Sequence, residues 1–219
     1  MVVVSQFMLT FGSDPNAKVT KKSKSPLSFH PIALIFGLLS FVSYLVEGAV
    51  GDWSALYLFE DKGILIEEAV MGVMLFNGTM CIGRLLGNRL GKHLTSKQVV
   101  VGGYLLGSIA MGLIVFLPGH ASMYTYLLLG ISLAMIVPNL FSAMGEQNVI
   151  PMTQAVATST MLGYMGILMG PALIGFIAHG TSLTVAFIVL TILLVVSAGI
   201  GKYAYHLMSK DCGLSEEQI

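Results

Sequence analysis

Charged residues are scarce in this sequence of 219 residues. Lys and Arg number 11, Asp and Glu number 11, and together they make up 10% of the chain, whereas hydrophobic residues make up 55%. A soluble domain has about 25% charged residues, because its surface must be hydrated. No Asp, Glu, Lys or Arg occurs in residues 98–145 or 147–201. This composition excludes a soluble globular protein and predicts an integral membrane protein in contact with the lipid bilayer.

Two further features are lacking. The basic and acidic residues are equal in number, so the excess of positive charge that a nucleic-acid partner requires is missing. There are only two cysteines, Cys81 in an apolar stretch and Cys212 near the C-terminus, which excludes a disulfide framework and a zinc-ligand spacing. We therefore expect no nucleic-acid partner, no metal and no cofactor.

Apolar runs long enough to cross a membrane recur along the chain. About 20 residues of helix cross a hydrocarbon core of roughly 30 Å, whereas barrel strands would alternate polar and apolar residues over about 10 positions. The uninterrupted runs predict an all-α integral membrane protein, a bundle of six spans that we number in chain order. They are residues 31–58, 69–86, 99–117, 123–145, 155–178 and 183–201.

The distribution of Lys and Arg predicts the orientation. Ten of the 11 lie before the first span, around the loop after the second span, or after the sixth span, and only Lys62 falls on the other side. Basic residues are enriched in cytoplasmic loops, so both termini should be cytoplasmic in a multi-pass protein of the inner membrane. We divide the chain into a cytoplasmic linker at 1–30, a six-helix bundle at 31–208 and a cytoplasmic tail at 209–219.

Polar and small residues recur at helical spacing in the first, second, fourth and fifth spans, whereas the third and sixth spans are mostly apolar. Residues three, four or seven apart share one face of a helix. Two successive triplets that each end in an apolar span suggest the inverted 3+3 repeat of transporters. The polar lines are Ser40, Ser43, Tyr44, Glu47, Gly51 and Ser54 in the first span, Asn77, Cys81 and Arg84 in the second, and Ser132, Met135, Asn139, Ser142 and Glu146 in the fourth.

Glu47 is the most informative single residue, because it lies near the middle of the first span. An ionised carboxylate there costs at least about 2.5 kcal/mol unless it is paired, protonated or hydrated. It is either a protonated or hydrogen-bonded packing residue or a site for a proton or a solute. The rise per residue of two antiparallel helices places Asn77 at a similar depth, and we predict Asn77 as its partner.

Two other charged residues have alternative interpretations. Asp52 lies nearer the outer surface beside Trp53 and Tyr57, whose rings suit the membrane interface, so a solvated or structural role is the simpler interpretation. Arg84 lies near the inner end of the second span. It either extends to the cytoplasm, as long basic side chains do, or recognises an anion from a cavity.

The fifth span is rich in glycine, with Tyr164 nearby. A Gly-x-x-x-Gly spacing allows two helices to approach closely, and a proline inside a helix permits a bend. We predict a packing face that is also a candidate hinge for gating. Its residues are Gly163, Gly166, Gly170, Pro171 and Gly175.

The loop after the second span carries a family resemblance. Residues 87–93 read Gly-Asn-Arg-Leu-Gly-Lys-His, which resembles the motif Gly-x-x-x-Asp-Arg-x-Gly-Arg-Arg that follows the second helix of each half of major facilitator superfamily transporters. Arg89 and Gly91 match that motif, Lys92 takes a basic position, and Asn88 replaces the family's Asp. The resemblance implies a gating loop at these four residues, without the family's carboxylate.

Three longer stretches resemble a bacterial branch of the same superfamily that is related to the fucose permease group. Residues 47–58 are similar to its seventh helix, 138–143 to its tenth and 163–175 to its eleventh. The resemblance implies the C-terminal half of a twelve-helix fold. The first 30 residues would then correspond to the central cytoplasmic loop.

The resemblance also implies a function. Such a protein is expected to be a secondary active transporter that moves a small polar solute by alternating access, with a proton gradient as the driving force. The partner of this chain would be an N-terminal six-helix half or a second copy. Glu47, Asn77, Asn139, Tyr44, Tyr164 and Arg84 are the candidate residues of the solute cavity and of coupling, and they suit a sugar or an amphipathic drug.

Two other functions remain as alternatives. One is a membrane scaffold or channel subunit without a transport cycle, although no ring of carboxylates or filter segment is visible. The other is an intramembrane serine protease, which needs a nucleophilic Ser near a His. Ser132 and His179 are the candidates, but the Gly-x-Ser-Gly setting of such proteases is incomplete here.

Overall fold

A computed structural model describes residues 30–90, 94–146 and 150–212, with only the backbone at 88–90, 146, 211 and 212. This part of the chain is helical, and six of its stretches are long and apolar enough to cross a membrane. The prediction of an all-α protein with six spans is confirmed. The helices are α1 (Pro31–Glu60), α2 (Ile66–Leu90), α3 (Ser96–Phe116), α4 (Gly119–Ala134), α5 (Ile136–Glu146), α6 (Met152–Gly180) and α7 (Leu183–Cys212).

Local signals define where these helices begin. Pro31 opens α1, where a missing N–H costs nothing. Gly63, with φ of +67°, reverses the chain before α2, because this left-handed conformation favours glycine. Thr95 caps α3 through a reciprocal pair of hydrogen bonds with Gln98, in which each side chain accepts from the other residue's backbone N–H.

The fourth span differs from its prediction, because it is two helices rather than one. α4 ends at Ala134 and α5 begins at Ile136. The cause is Pro138, which has no N–H to donate to the carbonyl of Ala134 four residues earlier. The carbonyl of Met135, at the break, instead accepts two bonds from Asn139, at 3.2 Å from its backbone N–H and 2.8 Å from its side-chain amide.

The sixth span is also longer than predicted. The sequence suggested an end at residue 201, capped by Lys202, but α7 continues to Cys212. Tyr205 and Met208 in this extension are buried, so packing against the bundle maintains the helix beyond the apolar run.

Three helix pairs organise the bundle. α1 packs mainly against α6, α2 against α4, and α3 against α7. An inverted 3+3 repeat relates the first span to the fourth, the second to the fifth and the third to the sixth. This exchange maps the α1–α6 pair onto the α2–α4 pair and maps the α3–α7 pair onto itself. The first and fourth spans run in opposite directions, because three crossings separate their starts. This pairing is what an inverted 3+3 repeat requires.

The loops at one end of the bundle are joined by polar contacts. Lys62 Nζ donates to the carbonyls of Val115 and Leu117, at 2.6 and 2.9 Å, where α3 ends. Thr184 Oγ1 donates to Asp61 Oδ2 at 2.6 Å. Burial lowers the pKa of Lys62, and the negative charge of Asp61 opposes that shift. We call this end, with residues 60–68, 117–120 and 179–184, the acidic end.

Candidate functional site

An ion pair joins the first two spans inside the apolar length of the bundle. Arg84 Nη2 lies 3.2 Å from Glu47 Oε2, and the protein leaves 29% of the Arg84 side chain and 22% of the Glu47 side chain uncovered. Each charge compensates the other, which reduces the cost of placing either in a membrane. Because the pair is only partly covered, it also faces a surface from which water, a proton or a solute can reach it.

The predicted partner of Glu47 was wrong. Asn77 is exposed, and its side-chain amide donates to the carbonyl of Val73 on its own helix at 2.9 Å. Asn77 and Glu47 are at a similar backbone depth, but the long side chain of Arg84 reaches Glu47 from nearer the helix end. Arg84 therefore takes the position that the sequence analysis had given to Asn77, and it does not extend away from the bundle.

Two tyrosines extend this site towards α6. The rings of Tyr44 and Tyr164 are stacked, with centroids 6.3 Å apart and planes within 9°. Tyr44 lies within electrostatic range of Glu47, Arg84 and Tyr164. We call these four residues the Glu47 cluster. The structure thus brings together four of the six residues that the sequence analysis proposed for the cavity.

Asn139 is not part of this cluster. It lies at the start of α5, and its side-chain amide is bonded to the carbonyl of Met135. Its contact explains how the helix break is stabilised. A role in solute binding stays a prediction for Asn139, as it does for Asn77.

The glycines of α6 pack against the backbone of α1. A Cβ atom at Gly166 would meet the carbonyl oxygen of Phe41, and one at Gly170 would lie 2.5 Å from the carbonyl oxygen of Leu45. At Gly163 it would lie 2.6 Å from the ring of Tyr44. These glycines are therefore required by close helix approach, and they place Tyr164 next to Tyr44.

The same seam contains Pro171 inside α6. Because Pro171 has no N–H, the carbonyl of Ile167 loses its helical donor. That carbonyl faces α1, where a Cβ at Gly48 would lie 2.9 Å from it. Trp53 Nε1 donates to the carbonyl of Pro171 at 2.9 Å, and its ring lies 2.9 Å from where a Cβ of Gly175 would be. Packing is visible at these positions, while use of Pro171 as a hinge stays a prediction.

Sequence reasoning missed a buried polar link between α1 and α3. Tyr104 is fully buried, and its hydroxyl donates to the carbonyl of Leu39 at 2.7 Å and accepts from Ser43 Oγ at 2.8 Å. Ser43 had been grouped with the cavity-facing line. The signal was the single tyrosine of an otherwise apolar third span, because a tyrosine buried in a membrane needs a hydrogen-bond partner.

Two other proposals of the sequence analysis have different outcomes. The gating-loop residues Asn88, Arg89, Gly91 and Lys92 lie outside the described residues, except for the backbone of the first two at the end of α2. Ser132, the nucleophile of the protease alternative, is buried and donates to the carbonyl of Leu129 at 2.7 Å. No bond between Ser132 and His179 is present in the described part of the chain.

Known proteins similar to this chain include membrane transporters. An uncharacterised transporter of the major facilitator superfamily (MFS) type from Yersinia pestis is 41% identical over 168 residues, which are 75% of this chain and 43% of that protein. Membrane protein MosC of Rhizobium meliloti is 31% identical over 151 residues, which are 68% of this chain and 37% of MosC. The chain thus spans less than half the length of these curated relatives. No protein-family model matches the chain.

Solved structures show the same fold. The Escherichia coli fucose:proton symporter FucP superposes with a TM-score of 0.75 at 15% identity, over 93% of this chain and 52% of FucP. A structure of FucP in the outward conformation gives a TM-score of 0.74 at 14% identity, with the same coverage. By its identity to the MFS-type transporter of Yersinia pestis, the chain belongs to the major facilitator superfamily, and its six spans correspond to one half of that fold.

Proposed function

We propose that this chain is the C-terminal six-helix half of a proton-coupled secondary transporter for a small polar solute. The transporter works by alternating access in the inner membrane, with both termini of this chain in the cytoplasm. The observation that carries the proposal is the Glu47–Arg84 ion pair, which lies within the spans and is only partly covered by the bundle. Ionisable residues within spans commonly mark proton or substrate pathways.

The ion pair provides a direct mechanism for coupling. When Glu47 is ionised, its carboxylate accepts a hydrogen bond from Arg84 and holds the guanidinium in place. A proton that binds to the carboxylate removes this attraction, so the guanidinium becomes free to donate hydrogen bonds to a solute. The proton and the solute then control one another through a single pair of side chains.

The two tyrosines give this site its second element. Their parallel rings offer a flat apolar surface beside the charged pair, and their hydroxyls are donors and acceptors. Such a combination suits a solute that has both hydroxyl groups and apolar faces, as a sugar has. The fucose:proton symporter, which has the same fold, is an example of a protein that couples such a solute to protons.

A second six-helix unit would complete the site, either as the N-terminal half or as a second copy. In the most apolar stretch of each span, the bundle buries only 28% of the second span and 22% of the fifth, against 39–61% of the other four. The second span is α2, which carries Asn77, Cys81 and Arg84, and the fifth is α6, which carries Tyr164. We assign these less covered faces to contact with the second unit across the solute cavity.

Substitution of Glu47 tests the coupling role. In the assembled transporter, Glu47→Gln should abolish proton-driven uptake and leave solute exchange without a gradient intact, because the amide keeps the shape but cannot carry the proton. Asp52→Asn is the matched control. Asp52 is exposed and lies five residues further along α1. Its substitution removes the same charge as Glu47→Gln, and this variant should retain driven uptake.

Two results would overturn the proposal. If Glu47→Gln retains driven uptake, Glu47 is a packing residue and the coupling site lies elsewhere. If the assembled protein mediates neither uptake nor exchange with any of a panel of sugars and amphipathic drugs, the scaffold or channel alternative replaces the transporter.

A further inference from the structure

A large cavity opens between α3 and α7, and no residue of the Glu47 cluster lines it. It has a volume of about 700 Å³ and lies between the first turns of α3 and the later part of α7. Its polar part contains two cationic side chains and two neutral ones, and its remaining wall is apolar. The lining residues are Thr95, Lys97, Gln98, Val101, Gly102, Leu105 and Lys202. We call it the α3–α7 groove.

The charge at this end of the bundle favours an anion. Lys97 and Lys202 both line the groove, and the positive end of the α3 dipole lies at its edge. Among the carboxylates of the described helices and loops, Glu60, Asp61, Glu67 and Glu68 lie at the opposite, acidic end of the bundle, whereas Glu146 and Asp211 end α5 and α7 at the end of the groove. Lys97, Lys202 and Lys210 outnumber these two at that end. Glu47 and Asp52 are within α1, which does not line the groove.

The shape of the groove favours a ligand with an apolar tail. Val101, Gly102 and Leu105 continue from the lysines along α3, and Leu105 is 47% exposed. No atom lies within 4 Å of the place where a Cβ of Gly102 would be, so the glycine leaves open space in the wall. Further along the same helix Ile109 and Phe116 are 58% and 83% exposed, which extends the apolar surface through the depth of a membrane.

We propose that the α3–α7 groove binds an anionic phospholipid. The phosphate of the headgroup lies between Lys97 and Lys202, and one acyl chain follows Val101, Gly102 and Leu105. Basic pockets between spans bind anionic headgroups in this way. The site is independent of the proposed transport function, because no residue of the Glu47 cluster lines it and it requires no second bundle.

Native mass spectrometry of the full chain in detergent tests this proposal. The chain is titrated with dioleoyl phosphatidylglycerol and, separately, with dioleoyl phosphatidylcholine, which has the same acyl chains but no net charge. We expect phosphatidylglycerol to be retained preferentially. A basic residue near an anionic lipid contributes roughly 1 kcal/mol, so Lys97→Gln and Lys202→Gln should each weaken binding about five-fold.

Two substitutions separate the headgroup from the acyl chain. Lys210→Gln removes the same charge from the same helix as Lys202→Gln at an exposed position outside the groove, and it should leave binding unchanged. Gly102→Leu fills the apolar wall at a position where a Cβ meets no atom within 4 Å, and it should weaken phosphatidylglycerol binding although both lysines remain. The same leucine at Gly78, an open position on α2, is its control. Circular dichroism verifies that each variant is folded.

Four outcomes would overturn the proposal. Equal retention of both lipids excludes headgroup recognition, and equal effects of Lys202→Gln and Lys210→Gln exclude a specific site. Displacement of the lipid by millimolar inorganic phosphate means that the groove binds a free anion and not a lipid. If only a chain without residues 213–219 binds phosphatidylglycerol, the acidic segment with Glu216 and Glu217 occupies the groove in the intact chain.

Discussion

Two neighbours of α1, the helices α6 and α2, contact it in different ways. Towards α6 the closest contacts involve backbone, since Gly166 and Gly170 on α6 and Gly48 on α1 lie against carbonyl oxygens of the other helix. Towards α2 the contact includes two long charged side chains that meet at 3.2 Å and stay partly uncovered. A seam of backbone contacts has one arrangement, because a small shift produces a clash or a gap. An ion pair between flexible side chains can break and form again, so we place the proposed response to a proton on the α2 side.

Among the tests of this comparison, substitution of a glycine in the α1–α6 seam should change the free energy of unfolding most. Gly166→Ala should lower the free energy of unfolding by about 2 kcal/mol, because overpacking commonly costs about 1–3 kcal/mol and the new methyl group meets the Phe41 carbonyl. Gly78→Ala, on the open face of α2, should instead raise it by up to about 1 kcal/mol through helix propensity. Thermal unfolding of the purified chain in detergent measures both. Equal effects would show that the seam is not tighter than the open face.

Substitutions of two buried tyrosines test the polar packing around α1, and they should change the free energy of unfolding by an intermediate amount. Tyr104→Phe removes a buried hydroxyl that makes two hydrogen bonds, and it should cost about 1–2 kcal/mol. Tyr126→Phe removes a buried hydroxyl of α4 that lies near the Ser54 hydroxyl of α1 without a hydrogen bond of acceptable geometry among the described residues. It should be neutral or slightly stabilising, because an unpaired buried hydroxyl is itself costly. The same unfolding measurement serves, and a larger loss for Tyr126→Phe would reverse the assignment.

The smallest effect is expected at the acidic end, where α2 meets α4. His120 Nε2 lies 2.7 Å from Glu68 Oε2, and both side chains are about half exposed. Exposed ion pairs contribute about 0.2–1 kcal/mol and are screened by salt. His120→Ala should therefore change stability by less than about 1 kcal/mol at low salt, and the difference from the parent chain should disappear in 1 M salt. A difference that persists at high salt would indicate packing rather than charge.

The sequence was sufficient for features that depend on composition and spacing. The six spans follow from the length of the apolar runs, and the glycine face of α6 follows from the spacing of Gly163, Gly166 and Gly170. Features that depend on how far a side chain extends could not be predicted from the sequence. The pairing of Arg84 with Glu47 depends on how far an arginine side chain extends. The bond of Asn77 to its own helix and the bond of Asn139 to Met135 at the helix break compete with any partner across the bundle. The break at Met135 could have been predicted from Pro138, because the missing N–H was visible in the sequence.

Cys81 offers the most direct measurement of the central claim, that the polar face of α2 is directed at a cavity or a second bundle and not at lipid. This cysteine is exposed and lies one turn from both Asn77 and Arg84. With Cys212→Ser as the background, a nitroxide attached at Cys81 in the assembled transporter reports collisions with oxygen, which concentrates in lipid, and with a water-soluble nickel chelate. We expect few collisions with oxygen. If the face lines the cavity, the nickel chelate should collide frequently with the nitroxide, and if the second bundle covers the face, collisions with nickel should be rare as well. Frequent collisions with oxygen and rare collisions with nickel would place this face in the lipid and contradict the claim.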